Sequence, residues 1–223
     1  MWPKAQFACQ ADPRVSYCMH LPTSAGDRDT PLELLVAVHG TGRTNMAYRD
    51  ALIPFAEAQG YAVLAPLFPI GVRGDDFADG YKYIAEGHIR YDALLLAMVG
   101  EMEAITGRAF ERFHLFGFSG GGHFAHRFYY LHPERLTSVT VGAPGGVTLL
   151  DDERDFWIGT RDFVARFGTA PDLDTMRSVM RDAMEDGAFG LASALIYPPG
   201  NFASTEELIE VARAMAPHGG VYI

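Results

Sequence analysis

Residues 113–121 read FHLFGFSGG, and this stretch decides how the rest of the chain is interpreted. The apolar residues up to Phe118 predict a strand, and the residues from 120 to 131 predict a helix. Between them lies the pattern Gly-x-Ser-x-Gly, with Ser119 at its centre. Glycines on both sides allow a strand-to-helix turn that is too tight for a Cβ atom. We therefore expect Ser119 at the carboxyl edge of a strand, with a positive φ angle, acting as a nucleophile.

The surroundings of Ser119 favour the stabilisation of negative charge. At a helix N-terminus, free backbone N–H groups and the helix dipole both attract an anion. The N–H of Gly120 is thus one predicted donor to an oxyanion. A second glycine-rich stretch, HGTG at 39–42, follows another predicted strand, and we expect the N–H of Thr41 to be the second donor. The predicted site therefore consists of Ser119, Thr41 and Gly120, with no metal and no other cofactor.

Strands and helices alternate along most of the chain. Strands are predicted at 14–21, 32–38, 61–65, 113–118 and 138–143, and helices at 46–59, 89–105 and 120–131. Strands that alternate with helices form a parallel sheet whose two faces are covered by those helices. The predicted fold class is α/β, a mostly parallel sheet with helices on both faces.

Composition narrows the class of partner. The chain has 223 residues, enough for one α/β domain, and a formal net charge of −10. An acidic surface argues against nucleic acid and anionic membranes, which need a basic patch. Neither a secretory signal nor an apolar run of 18 residues is visible, so we expect a cytoplasmic protein with a small-molecule substrate. Cys9 and Cys18 are then expected to stay reduced.

The general base is harder to place than the nucleophile. His39 stands beside a glycine loop, where a histidine is more typical of a hydrogen-bonded packing residue. His123 and His126 follow the serine on the same helix, and we expect both to point into helix packing. His88 is a weak candidate in a loop. Asp162 imitates the acidic member of a catalytic triad, but we interpret it as part of a lid.

Several motifs resemble the α/β-hydrolase superfamily, in particular its small bacterial esterase-like members, over residues 32–179. The resemblance is carried by VAVHGTG at 36–42, GYAVLAP at 60–66, LFGFSGGGH at 115–123, HPER at 132–135 and GAPG at 142–145. It implies hydrolysis of esters or other acyl compounds through an acyl-serine intermediate.

The C-terminal residues 181–223 resemble a different family, the N-acyl-D-amino-acid deacylases, which are metal-dependent amidohydrolases on a TIM barrel. The motifs are MEDGAFGL at 184–191, LIYPPG at 195–200, FASTEELI at 202–209 and HGGVYI at 218–223. We infer a truncated α/β hydrolase joined to an internal amidohydrolase fragment, with the seam near 177–183. The expected organisation is a core at 1–180 with a lid-like segment at 146–175, followed by a strand–helix–strand tail.

This seam has a consequence for the chemistry. The α/β-hydrolase pattern requires a histidine after the final strand, whereas here the last predicted strand follows His218 and ends the chain. We expect a serine hydrolase of small esters, and the alternative is a catalytically impaired hydrolase-fold protein that lacks the triad histidine. The tail is expected to pack on the same sheet or on a second copy, so a homodimer is possible.

Overall fold

The computed structural model describes residues 5–27 and 30–172, and beyond them residues 174, 175, 178, 181, 182, 185, 190, 191, 217, 221 and 222. The strands are β1 (Phe7–Ala8), β2 (Ser16–His20), β3 (Glu33–Val38), β4 (Tyr61–Leu67), β5 (Ala85–Glu86), β6 (Ile89–Arg90), β7 (Phe113–Phe118), β8 (Leu136–Gly142), β9 (Gly190–Leu191) and β10 (Val221–Tyr222). The α-helices are α1 (Asn45–Gln59), α2 (Tyr91–Thr106), α3 (Gly120–Leu131) and α4 (Phe163–Phe167). Short 3₁₀ turns occur at Thr23–Gly26, Gly80–Tyr83 and Pro133–Arg135.

Six strands form the central sheet, in the order β1-β2-β4-β3-β7-β8. The neighbours among β4, β3, β7 and β8 pair in parallel, whereas β1 and β2 add an antiparallel edge. This arrangement confirms the predicted α/β class with a mostly parallel sheet. The predicted bounds of the central strand β7 and the following helix α3 are also confirmed.

The other predicted elements differ from the observed ones by one or two residues at one or both ends, and two of these differences have a clear tertiary reason. The helix expected from residue 89 begins at Tyr91, because Ile89–Arg90 pairs with Ala85–Glu86 in a short hairpin. The strand expected to end at residue 65 continues to Leu67, which pairs with Ser16 of β2. Apolar periodicity does not reveal a strand partner that is distant in the chain, so neither boundary could be placed from the pattern alone.

Helices cover opposite faces of the sheet. Successive side chains of a strand point to opposite faces, so Phe113 and Phe116 of β7 lie on different faces of the sheet, and their contacts show which helix covers each face. The ring of Phe113 lies 5.9 Å from that of Phe128 on α3. The ring of Phe116 lies 6.2 Å from that of Tyr48 on α1. The larger core lies on the α3 side, where α2 also packs.

The segment expected to be a lid leaves the carboxyl end of β8. Part of it is anchored in the core, because Phe163 and Phe167 of α4 are buried and their rings are 4.6 Å apart. Most of the predicted tail lies outside the described residues, so the division at residue 180 stays a prediction. Cys9 and Cys18 are buried and not bonded to each other. No helix in the described part of the chain is long and apolar enough to cross a membrane.

Candidate active site

Ser119 occupies the turn between β7 and α3 in a strained conformation. Its φ and ψ angles are 56° and −118°, as predicted for this position. Such a backbone costs about 1–3 kcal/mol in a residue other than glycine and persists only where its surroundings enforce it. One such restraint is the bond from Ser119 N–H to the carbonyl oxygen of Gly142, at 2.8 Å. The side chain is half-buried, which leaves it accessible to a ligand.

The glycines around Ser119 are required by close backbone approach. A Cβ atom on Gly121 would overlap the carbonyl oxygen of Val38 at the end of β3. A Cβ atom on Gly117 would overlap the carbonyl oxygen of Gly121. Helix α3 can therefore begin directly against the ends of β3 and β7 only because these positions have no side chain.

The loop after β3 meets the start of α3 because β3 and β7 are parallel neighbours, with Val38 paired to Gly117. The backbone nitrogen of Thr41 lies 3.0 Å from the position that a Cβ atom on Gly120 would occupy. As the first residue of α3, Gly120 carries an N–H with no helical acceptor. In the described part of the chain, the N–H of Thr41 also has no hydrogen-bond partner. The two predicted oxyanion donors are thus neighbours, and their catalytic role stays a prediction.

Two residues that the sequence did not single out hold this loop. Arg43 donates to the carbonyl oxygens of Thr41 at 2.6 Å and Phe68 at 3.3 Å, and its guanidinium lies 5.2 Å from the centre of the Tyr81 ring. The Tyr81 hydroxyl donates to the carbonyl oxygen of His39 at 3.4 Å. Tyr81 belongs to an irregular stretch after β4, so no spacing in the sequence links it to the loop.

His39 is a structural residue in this geometry. Its Nδ1–H donates to the carbonyl oxygen of Gly40 at 2.8 Å, and its Nε2 accepts from the N–H of Phe68 at 3.0 Å. Burial lowers the pKa of His39 to about 4, although the bond to Gly40 opposes the shift. Both ring nitrogens are occupied in a neutral imidazole, so His39 has no free site with which to accept the proton of Ser119. The interpretation of His39 as a packing residue is confirmed.

His123 and His126 bond to groups other than Ser119. His126 donates to the carbonyl oxygen of Gly122 at 3.0 Å and accepts from the N–H of Thr148 at 3.0 Å. His123 Nδ1 accepts from Arg127 at 3.2 Å. Burial, with the charge of Arg127 as a further cause, lowers the pKa of His123 to about 4 and that of His126 well below its usual range. The packing roles predicted for both are confirmed.

The remaining candidates lie elsewhere. His88 is exposed at the turn between β5 and β6. Asp162 accepts from the N–H of Phe156 at 2.6 Å and pairs with Arg166, so its partners lie within the segment 146–175, whose role as a lid stays a prediction. Burial opposes its ionisation, but these bonds outweigh it and lower the pKa of Asp162. Within the described residues, the hydroxyl of Ser119 makes no hydrogen bond. His218 lies outside those residues.

A serine, a histidine and a glutamate do come together, but at the opposite edge of the sheet. His114, near the start of β7, bonds through Nδ1 to Ser138 Oγ at 2.8 Å and through Nε2 to Glu33 at 2.8 Å. Ser138 lies inside β8, paired with His114 in the parallel ladder. Its neighbouring N–H groups belong to a strand rather than to a helix start, so no helix dipole adds to them.

Solved structures identify the architecture. A poly(aspartic acid) hydrolase-1 from Sphingomonas sp. KT-1 matches 92% of this chain and 77% of its own, with 21% identity and a TM-score of 0.60. A poly(3-hydroxybutyrate) depolymerase from Bordetella parapertussis matches 92% of this chain and 70% of its own, with 23% identity and a TM-score of 0.57. This chain has the α/β-hydrolase fold. At these identities the likeness concerns the α/β-hydrolase fold alone, and no family model matches the chain.

Curated relatives match only a short part of the chain. A D-aminoacylase from Alcaligenes xylosoxydans xylosoxydans is 42% identical over 57 residues, which are 26% of this chain and 12% of that enzyme. An N-acyl-D-aspartate deacylase from the same organism is 30% identical over 63 residues, or 13% of its length. The chain thus spans about an eighth of these relatives. Their partial match supports the deacylase resemblance for a fragment and not for a whole enzyme.

Proposed function

We propose that this protein is a serine hydrolase that cleaves small carboxylic esters through an acyl-Ser119 intermediate. The observation that carries the proposal is the strained, accessible Ser119 beside two backbone N–H groups that have no partner in the described residues. A strained serine at the carboxyl edge of a parallel sheet is the geometry by which this fold presents a nucleophile.

The reaction follows from this arrangement. Ser119 Oγ attacks the carbonyl carbon of the ester, and the negative charge that develops on the carbonyl oxygen is stabilised by the N–H groups of Thr41 and Gly120. The bond from the acyl carbon to the alkoxy oxygen then breaks, and the proton that Ser119 loses ends on the departing alcohol. Water hydrolyses the acyl-serine, which releases the acid and restores the Ser119 hydroxyl. The names of the structural neighbours, a hydrolase and a depolymerase, support acyl chemistry at such a site without defining a substrate.

The first experiment measures hydrolysis of p-nitrophenyl acetate by the parent chain and by Ser119→Ala. Loss of all enzyme-dependent turnover in Ser119→Ala is the expected result. Ser138→Ala is the matched control, because Ser138 is the serine whose hydroxyl bonds to a histidine, and this change should leave turnover intact. Activity that survives in Ser119→Ala, or disappears in Ser138→Ala, would contradict the assignment.

Repeating the assay with EDTA tests whether the metal-dependent reaction of the deacylases takes place here. In the described residues, no three His, Cys, Asp or Glu side chains are grouped so as to hold a metal ion. We expect ester hydrolysis to be unaffected by EDTA. Cleavage of an N-acyl-D-amino acid that EDTA abolishes would favour the metal-dependent reaction over the serine mechanism.

A second candidate, an impaired hydrolase-fold protein, is favoured by one observation: no described histidine bonds to the hydroxyl of Ser119. Serine enzymes that lack triad members retain roughly 10³–10⁴-fold acceleration over water from the oxyanion hole and binding. Slow turnover, unchanged by His39→Ala, His88→Ala and His218→Ala, is the outcome expected of an impaired enzyme. A loss of several hundredfold in one of these variants, with a circular dichroism spectrum and melting temperature that match the parent's, would instead identify a general base.

The cytoplasmic location, the tail as an appendage of the core, and a homodimer formed through the tail remain proposals. Light scattering of the full chain tests the last of them. A single species at twice the chain mass of 24.4 kDa would support the dimer, and a monodisperse monomer would count against it.

A further inference from the structure

A cavity of about 480 Å³ lies between the stretch after β4 and the predicted lid. Its walls include five aromatic rings: Phe77, Tyr83, Phe156, Trp157 and Phe167. Both wall segments leave the carboxyl ends of their strands, the edge of the sheet at which open α/β folds bind ligands. The volume lies in the range of small-molecule sites. We call this cavity the aromatic pocket.

The side chain of Arg127, a buried cation, lies against three of these rings. The guanidinium of Arg127 is 5.3 Å from the ring centre of Tyr83, 5.8 Å from that of Phe156 and 5.5 Å from that of Trp157. Arg127 is fully buried, and its hydrogen-bond acceptors are neutral: Thr148 Oγ1, carbonyl oxygens and a histidine nitrogen.

The second terminal nitrogen of Arg127, Nη2, has no partner in the described part of the chain. Burial lowers the pKa of Arg127 to about 9, so the group remains charged at neutral pH. A cation on one face of an aromatic ring draws on its negative quadrupole. A cation in contact with these rings therefore favours an electron-rich ring as their stacking partner.

The lining of the aromatic pocket includes charged groups of both signs: Arg73, Arg166 and Glu86. Arg166 is half-exposed, its Nε is paired with Asp162, and its guanidinium lies 5.6 Å from the ring centre of Phe156. Glu86 is buried, with one carboxylate oxygen accepting from the Tyr91 hydroxyl at 2.7 Å. Its other oxygen, Oε1, has no hydrogen-bond partner in the described residues. A buried acceptor without a donor is costly, so a ligand that supplies the donor is favoured.

We propose that the aromatic pocket binds an aromatic carboxylate that also carries a phenolic hydroxyl. The ring stacks against the aromatic walls, the carboxylate pairs with Arg166, and the hydroxyl donates to Glu86 Oε1. This binding does not depend on the nucleophile. If Ser119 is the nucleophile, the pocket defines a substrate class in which such a group lies at a distance from the scissile ester.

The test uses Trp157 as the reporter in a chain that cannot hydrolyse esters. The chain has two tryptophans, so Trp2→Phe combined with Ser119→Ala leaves Trp157 alone. Titration with 4-hydroxybenzoate should produce a saturable change in Trp157 emission. Benzoate and 4-hydroxybenzyl alcohol each lack one of the two polar contacts and should bind at least about fivefold more weakly. Cyclohexanecarboxylate, which has no ring to stack, should bind more weakly still.

Two variants test the contacts with Arg166 and Glu86 separately. Arg166→Gln should weaken 4-hydroxybenzoate about fivefold and leave 4-hydroxybenzyl alcohol unchanged. Glu86→Leu should bind benzoate as the parent does and lose the preference for the hydroxyl. Arg161→Gln is the control, because Arg161 is an exposed lid arginine paired with Asp155 outside the pocket. Circular dichroism spectra confirm that each variant is folded.

The outcomes separate this inference from the proposed function. An absence of saturable binding up to 10 mM ligand, about the weakest affinity worth assigning to a specific site, would overturn it. Equal affinity for all four compounds would also overturn it. This comparison uses a single protein, so it does not depend on whether the pocket variants fold. A parent chain that binds 4-hydroxybenzoate selectively but hydrolyses no ester would leave the pocket standing and remove the serine mechanism.

Discussion

Acidification should destabilise the protein through His39, and the size of the effect can be calculated. The pKa of His39 is lowered by burial from its ordinary value of 6.5 to about 4. The unfolded chain therefore takes up a proton at a higher pH than the folded chain does. The stability that the neutral imidazole contributes is present in full above pH 6.5 and is lost as the pH falls towards 4.

The expected loss at pH 5 follows from these two pKa values. Proton linkage gives about 2 kcal/mol for His39 alone between pH 7 and pH 5. Solvent does not screen this contribution, because the His39 side chain is fully buried. This amount is a large fraction of the 5–15 kcal/mol that is typical of a folded domain.

Urea denaturation followed by circular dichroism at pH 7 and pH 5 measures this difference. His39→Gln removes the titrating group, so the drop in the free energy of unfolding between the two pH values should be about 2 kcal/mol smaller than in the parent. His88→Gln removes an exposed imidazole and is the matched control. A drop in His39→Gln equal to that of the parent would refute the assignment of His39 as a buried neutral histidine.

Two further changes test the packing beneath the site. Gly121→Ala should prevent folding or lower the melting temperature sharply, because its Cβ would overlap the Val38 carbonyl oxygen. The control is Gly100→Ala on α2, whose Cβ meets nothing within 4 Å and should be tolerated. Thermal unfolding of the two variants compares them. Asp92→Asn should lower the free energy of unfolding, measured in urea, by about 3 kcal/mol, since this buried carboxylate bonds to an arginine and a histidine. Asp155→Asn breaks an exposed ion pair and should change the free energy of unfolding much less. Equal losses for the two changes would show that the burial of Asp92 is unimportant.

The turn at Ser119 could be predicted because all its determinants are local. An apolar run, two flanking glycines and a helical pattern lie within about twenty residues, and together they specify a strand, a strained turn and a helix. The same holds for the alternation that predicts the parallel sheet. The proximity of Thr41 to Gly120 was also within reach, because neighbouring parallel strands bring their carboxyl ends together.

The contacts that complete the site could not be read from the chain. Arg43 and Tyr81 are 38 positions apart in the chain, separated by helix α1 and strand β4, and no sequence period connects them. The fate of each histidine was equally a matter of tertiary structure: His39 and His126 are fixed by backbone groups far away in the chain, namely Phe68 and Thr148. Hydrogen bonds to a main chain carry no signature in residue types.

The sequence by itself determined the class of fold, the strained turn at Ser119 and the loop beside it, because periodicity and glycine placement act over a few residues. Only the tertiary structure decided which rings surround Arg127, which carboxylate lacks a donor, and that the Ser138–His114 pair lies at the edge of the sheet opposite Ser119. These features depend on burial and on distances between segments that are remote in the chain. Both quantities exist only once the sheet has brought those segments together.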